Sequence, residues 1–139
     1  MKTHENVSSS RRKSRSAHFN APSHVKYHLM SANLCKELRE KHGVKSLPVR
    51  RDDEVLIVRG GFKDTKGKVS AVYRKRWCLY IEKVTKTRKN GATVKIPINA
   101  SNCVLTKLKL TPDREDLIKR KREGRGLDKQ KYTQQDVQQ

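Results

Sequence analysis

Residues 52–81 read DDEVLIVRGGFKDTKGKVSAVYRKRWCLYI, and this stretch decides the fold. Two apolar runs, residues 55–58 and 69–73, flank a loop that holds Gly60, Gly61, Lys63, Asp64, Lys66 and Gly67. A third run, residues 77–81, follows at once. Short apolar runs punctuated by glycine point to strands. In the third run Trp77, Leu79 and Ile81 share one face, with Cys78 and Tyr80 on the other. The loop suits close approach to an anion. Glycine removes side chains and permits positive φ, while Lys63, Lys66 and Lys68 bring charge.

The strand pattern continues downstream. Val94, Ile96 and Ile98 alternate, and Asn90-Gly91 before them signals a type I′ hairpin. Pro97 suggests an edge position, and residues 102–106 form a last short strand. Five short strands are too few for a sandwich. A small closed or half-closed barrel is therefore expected over residues 48–110, with Val55, Ile57, Val69, Leu79, Ile81, Val94 and Ile96 inside. Asp53 reads as a turn residue at the strand entry. Thr111-Pro112-Asp113 opens a helix, with Thr111 as cap and Pro112 in the first turn. Asp113, Glu115 and Asp116 sit near the positive end of its dipole, four cations at 119–122 near the negative end, and Gly124 stops it.

Upstream, residues 44–51 read as a linker containing Pro48. Ser31 caps an expected helix over residues 32–42, with Leu34 and Leu38 as its stripe and Gly43 at its end. A shorter helix starts at Ala21-Pro22-Ser23, with Ser23 as cap and Val25 and Leu29 on one face. The chain thus divides into a basic N-terminal arm with short helices (1–47), a barrel (48–110), a basic C-terminal helix (111–126) and a disordered Gln-rich tail (127–139).

Lys+Arg number 34 against 14 Asp+Glu, a net charge of +20 in 139 residues, with a pI near 10.3. Such a field repels itself and binds polyanions. Nucleic acid is the first expectation and an anionic membrane the second. With 33% hydrophobic residues and a mean hydropathy of −0.94, only part of the chain is expected to pack before a partner arrives. No run reaches the ~20 apolar residues of a membrane span, and the N-terminus has no apolar signal region. Cys35, Cys78 and Cys103 are odd in number and lack Cys-x-x-Cys spacing, which argues for a reducing compartment and against a disulfide framework or zinc ribbon. His24 and His28 lack further ligands and read as solvated or RNA-facing. Asp52 and Asp53 form a carboxylate pair, but no nucleophile–base pairing or phosphate-loop signature accompanies them, so no enzyme and no cofactor are expected.

Residues 1–21 are either a disordered tail or an arm that orders along phosphates, and their charge density favours the arm. The run Arg11, Arg12, Lys13 and Arg15 also fits nuclear import. His18, Phe19 and Asn20 offer rings and an amide to unpaired bases. Tyr73 and Trp77 offer rings too, with barrel packing the favoured role for Trp77.

Asp53, Val55, Ile57, Gly60, Lys63, Gly67, Val69 and Val72 together resemble a KOW motif. The flanks narrow the resemblance. His18-Phe19-Asn20-Ala21-Pro22-Ser23-His24, Met30-Ser31, Lys36-Glu37-Leu38-Arg39 and Pro48-Val49-Arg50-Arg51-Asp52-Asp53 are similar to the archaeal/eukaryotic form of the KOW-type large-subunit ribosomal protein. So are Val72-Tyr73-Arg74-Lys75, Asn90-Gly91 and Thr106-Lys107-Leu108-Lys109-Leu110. The resemblance spans residues 11–123 and implies an SH3-like barrel with basic extensions. It implies a structural role on large-subunit ribosomal RNA, early binding in assembly and a place near the opening of the peptide exit tunnel. Partners would include neighbouring large-subunit proteins and factors docking at the tunnel. The location would be cytoplasmic, and nucleolar during assembly in a eukaryote. Expected RNA contacts are Arg11, Arg12, Lys13, Arg15, His18, Phe19, Asn20, Ser23, His24, Arg50, Arg51, Arg59, Lys63, Lys66, Lys68, Tyr73, Arg74, Lys75 and Arg76, with Asp53, Gly60 and Gly67 structural. The family usually has Lys-Gly where this chain has Lys63-Asp64, which places phosphate contact by that loop tip in question. The competing reading is a KOW module in a transcription or RNA-processing factor.

Overall fold

The computed structural model describes residues 4–125; the Gln-rich tail lies outside them. Two helices come first, α1 (Arg11–Phe19) and α2 (Ser23–Leu29). They are followed by β1 (Ser31–Leu34), α3 (Lys36–His42), β2 (Ser46–Pro48), β3 (Glu54–Ile57) and β4 (Lys66–Tyr73). A 3-10 turn, Arg74–Arg76, leads into β5 (Cys78–Ile81), β6 (Thr85–Thr87) and β7 (Thr93–Lys95). A second 3-10 turn, Ala100–Asn102, precedes β8 (Cys103–Lys107) and α4 (Pro112–Gly124).

Six strands form one mixed sheet in the order β2-β1-β8-β3-β4-β5, and β6 pairs with β7 separately. The expected β fold with helical extensions is present. The sheet is open, since β2 and β5 end it without pairing with each other. The alternation in residues 54–57 buries Val55 and Ile57, as its period of two dictates. Leu79 and Ile81 of β5 and Val69 of β4 join them in one hydrophobic cluster.

Several expectations are corrected. Residues 32–42 are not one helix. Ala32 and Leu34 alternate with Ser31 and Asn33 in β1, which pairs with both β2 and β8. The four-residue spacing of Leu34 and Leu38 fits a helix equally well, and the two pairing partners tip the balance to strand. The supposed linker holds β2, with Val44, Leu47 and Val49 buried. Val94 and Ile96 are only partly buried, because their hairpin stands apart from the main sheet. Val84, Leu105 and Ala100 occupy the core instead. The hairpin turn spans residues 88–92 rather than two residues, with Asn90 Oδ1 accepting from Ala92 N and Gly91 at φ 79°. Trp77 lies outside β5, at φ 57°, and ends the 3-10 turn. Val25 and Leu29 of α2 are exposed, and Ser23 makes no capping bond. Residues 11–19 form a helix with no buried residue. Gly124 is inside α4, which Arg125 ends.

One buried ion pair ties α4 to the sheet. Arg114 Nη1 donates to Asp53 Oδ1 at 2.5 Å and Nη2 donates to Oδ2 at 2.7 Å. Asp53 also accepts from the backbone N–H groups of Arg50 and Lys109, and Arg114 Nη2 reaches the Pro48 carbonyl. With side-chain exposures of 1% and 0%, both charges are out of water and paired with each other. Asp53 is thus more than a turn residue. It joins the β2–β3 connection, the end of β8 and α4. Further along α4, Lys121 donates to the Ser46 carbonyl and Arg125 to that of Gly43, which ends α3 in the left-handed conformation.

Candidate nucleic-acid interface

The KOW-like loop is built differently from its first reading. Gly67 lies inside β4, opposite Val55. A Cβ there would stand 2.6 Å from Ile81 Cγ2 and 2.7 Å from the Glu82 carbonyl oxygen. Gly67 is required by the neighbouring strand, not by a ligand. Gly60 does need its freedom, at φ 98° with open space around it. Asp64 adopts φ 64°, and its N–H donates to the Ile57 carbonyl. The departure from Lys-Gly is thereby explained, because aspartate tolerates the left-handed turn that glycine favours. Arg59, Lys63 and Lys66 stand exposed around this turn.

Lys66 and Tyr73 begin and end β4, so this turn is ~23 Å from the 3-10 cations Arg74, Lys75 and Arg76 at ~3.3 Å per residue. Between the two, along β4, the fold collects charge from distant parts of the sequence. Arg50, Arg51, Arg74 and Lys109 line a groove of about 610 Å³ with Asp52, Ser70 and Thr111. Arg50 Nη1 donates to Thr111 Oγ1. Asp52 sits at φ 73° and pairs with Lys109 at 2.7 Å and Lys68 at 3.3 Å. Hydrogen bonds from Lys109, then from Lys68, hold its carboxyl below the usual carboxylate range. Lys68 is thus engaged within the protein, unlike Lys63 and Lys66.

The 3-10 turn contributes Arg74, Lys75 and Arg76, all exposed. It contacts α2, where Arg74 lies over the Tyr27 ring at 5.2 Å. Trp77 packs against the core, His18 stacks on its ring at 4.0 Å and 12°, and Lys26 lies 5.5 Å from it. This stack links α1 to the sheet and brings Arg11, Arg12, Lys13 and Arg15 to the same body as the 3-10 cations. The His18 ring is therefore committed to Trp77. The Asn20 amide is likewise committed, to Ser16 Oγ. Phe19 is exposed, with Arg15 over its ring. Ser23 and His24 are exposed at the start of α2.

Sequence reasoning missed Lys26, Tyr80, Lys95 and Lys109, which the fold brings beside the expected cations. No local pattern marks one lysine among so many. The three cysteines are free, and burial pushes the Cys103 thiol up to about 11, which keeps it protonated and inert. Among the described residues, no helix is long and apolar enough to cross a membrane.

Residues 8–121 match the family of eukaryotic ribosomal proteins L26 and their archaeal counterparts. This chain belongs to that family. The "Large ribosomal subunit protein uL24" of Schizosaccharomyces pombe is 54% identical over 121 residues, covering 87% of this chain and 96% of the relative. The protein of the same name from Caenorhabditis elegans is 48% identical over 141 residues, covering 99% of each chain. "Large ribosomal subunit protein uL24A" of Saccharomyces cerevisiae is 54% identical over 115 residues, covering 83% of this chain and 91% of that one. The family is one of structural ribosomal components rather than enzymes, and Asp52 and Asp53 accordingly serve pairing and packing.

Proposed function

We propose that this chain is a structural constituent of the large ribosomal subunit and holds segments of its ribosomal RNA together. The observation that carries the reading is the gathering of Arg50, Arg51, Arg74 and Lys109 into one groove, in a family member with a net charge of +20. Arginine grips phosphate with a two-pronged fork and lysine as a point charge. Folded RNA is recognised mainly by its shape, backbone and unpaired bases, so a sheet with spaced cations is sufficient.

In this reading the groove takes one RNA segment. The α1 cations Arg11, Arg12, Lys13 and Arg15 take a second, and Arg59, Lys63 and Lys66 on the β3–β4 turn take a third. The ~23 Å between the turn and the 3-10 cations at the two ends of β4 makes the protein a spacer as well as a binder. It works on the cytoplasmic ribosome, after nucleolar assembly in a eukaryotic cell. A position near the exit tunnel opening, among neighbouring ribosomal proteins and docking factors, follows from the family resemblance.

The test is sedimentation of a cell lysate through sucrose, before and after a high-salt wash. Co-migration with large subunits and whole ribosomes that survives the wash is expected, and crosslinking then locates the RNA. Migration as free protein, or release at moderate salt, would favour a regulatory KOW factor.

A further inference from the structure

The β4–β5 ladder shifts register between Val69 and Ala71. Such a shift turns the following side chains to the opposite face of the sheet. Val69 is buried before it and Val72 packs on the core after it. Ala71 and Tyr73 therefore take the outer face, and Tyr73 is 49% exposed. Ala71 stands opposite Tyr80 in the ladder. The rings of Tyr73 and Tyr80 meet edge to face, with centroids 5.2 Å apart. Ser70 Oγ donates to the Tyr80 carbonyl and fixes the shifted segment.

The two rings line a cavity of about 560 Å³ together with Ala71, Val94, Lys75, Arg76 and Lys95. That volume falls within the ~300–1,000 Å³ of small-ligand sites. Its walls combine two π-surfaces, the small apolar side chains of Ala71 and Val94, and three cations drawn from the 3-10 turn and β7. The groove along Arg50 and Arg74 has no aromatic wall and suits backbone phosphate alone. Trp77 is occupied by His18, whereas the Tyr73 ring is half open to solvent.

We propose that this cavity takes a single unpaired nucleotide extruded from folded RNA. Its base lies against Tyr73, its edge meets Tyr80, and its phosphate is held by Lys75, Arg76 and Lys95. The inference rests on the RNA-binding reading and adds a base-stacking site to it. A bulged nucleotide is the natural occupant, since it is already unpaired and its base is easily splayed out. The site tolerates any base, because every base has a π-face.

The experiment uses the full chain and two hairpin RNAs, one fully paired and one carrying a single bulged adenosine. Binding is followed by fluorescence anisotropy across a salt series. The bulged hairpin is expected to bind about ten-fold tighter, a typical effect of one base–aromatic stack. Tyr73→Phe keeps the preference. Tyr73→Leu and Ala71→Leu, the second filling the cavity, abolish it, read as the ratio of bulged to paired affinity within each variant. Equal affinity of the unaltered protein for both RNAs overturns the proposal, as does a preference that survives both leucine variants. A 5-bromouridine in the bulge, irradiated with the unaltered protein, is expected to crosslink to Tyr73 or Tyr80. Crosslinks confined to other peptides overturn the proposal without any variant. Salt-dependent binding of the paired hairpin with no bulge preference refutes this site alone, whereas no binding to either RNA refutes the RNA-binding reading with it.

Discussion

Asp52 and Asp53 are neighbours in the chain and carry the same charge, yet they serve different regions of the molecule. Asp53 is fully buried and gives both oxygens to Arg114, tying α4 to the sheet. Asp52 lies in the basic groove and pairs with Lys68 and Lys109 on partly exposed side chains. A buried charge without its partner carries the full penalty of lost hydration, so the Asp53 pair governs stability. Pairs bathed in water contribute little to stability but set the local potential, so the Asp52 cluster tunes binding. One peptide step thus separates a structural from a functional carboxylate, and burial makes the difference.

Arg114 is where the two carboxylates differ most in consequence. Arg114→Met leaves Asp53 buried and unpaired and is expected to cost about 3–5 kcal/mol, read from urea unfolding. A loss under about 1 kcal/mol would show that the pair does not hold α4. Gly67→Ala probes the packing of β4 against β5 without altering charge. Its new methyl meets Ile81 and the Glu82 backbone, so a loss of about 1–3 kcal/mol is expected. RNA affinity at a temperature where the variant stays folded should be unchanged, which separates damage to the fold from damage to the groove.

Asp52→Asn should give the smallest change in stability and a measurable change in binding. It releases Lys68 and Lys109, so RNA binding tightens and its salt slope steepens by up to ~0.7–0.9 for each phosphate that a freed lysine neutralises. Its pH signature has a definite sign. The Asp52 carboxyl is held below its ordinary value near 3.8, first by the Lys109 hydrogen bond and then by Lys68. Its contribution to stability is therefore present above that value and lost as pH falls through the lowered one. The acid limb of the stability profile should flatten in Asp52→Asn, and an unchanged limb would place the acid sensitivity elsewhere.

Much of the central sheet was legible in the sequence. Val55, Ile57, Leu79 and Ile81 are buried because alternation in a short apolar run leaves few alternatives. The N-terminal third was not. Leu34 and Leu38 satisfy a helical spacing, but Leu34 is buried in a strand whose partners lie elsewhere in the chain, around Leu47 and Leu105. The groove was half legible. Arg50, Arg51 and Arg74 could be named as candidate contacts, but Lys109 joins them only because β8 returns beside β3.

Composition, spacing and family signature alone determined that this chain is a basic β protein of the ribosome, with charge on its loops and ends. These properties are local or summed, so they survive without coordinates. Tertiary structure decided which cations face a partner and which are held inside. Arg114, Lys121 and Lys68 carry the same charge as the cations that face outward, yet the fold commits them to Asp53, the Ser46 carbonyl and Asp52. It also decided where Tyr73 points, through one register shift in β4. Pairing across long sequence separations sets burial, and burial determines whether a charge is available for binding or holds the fold together.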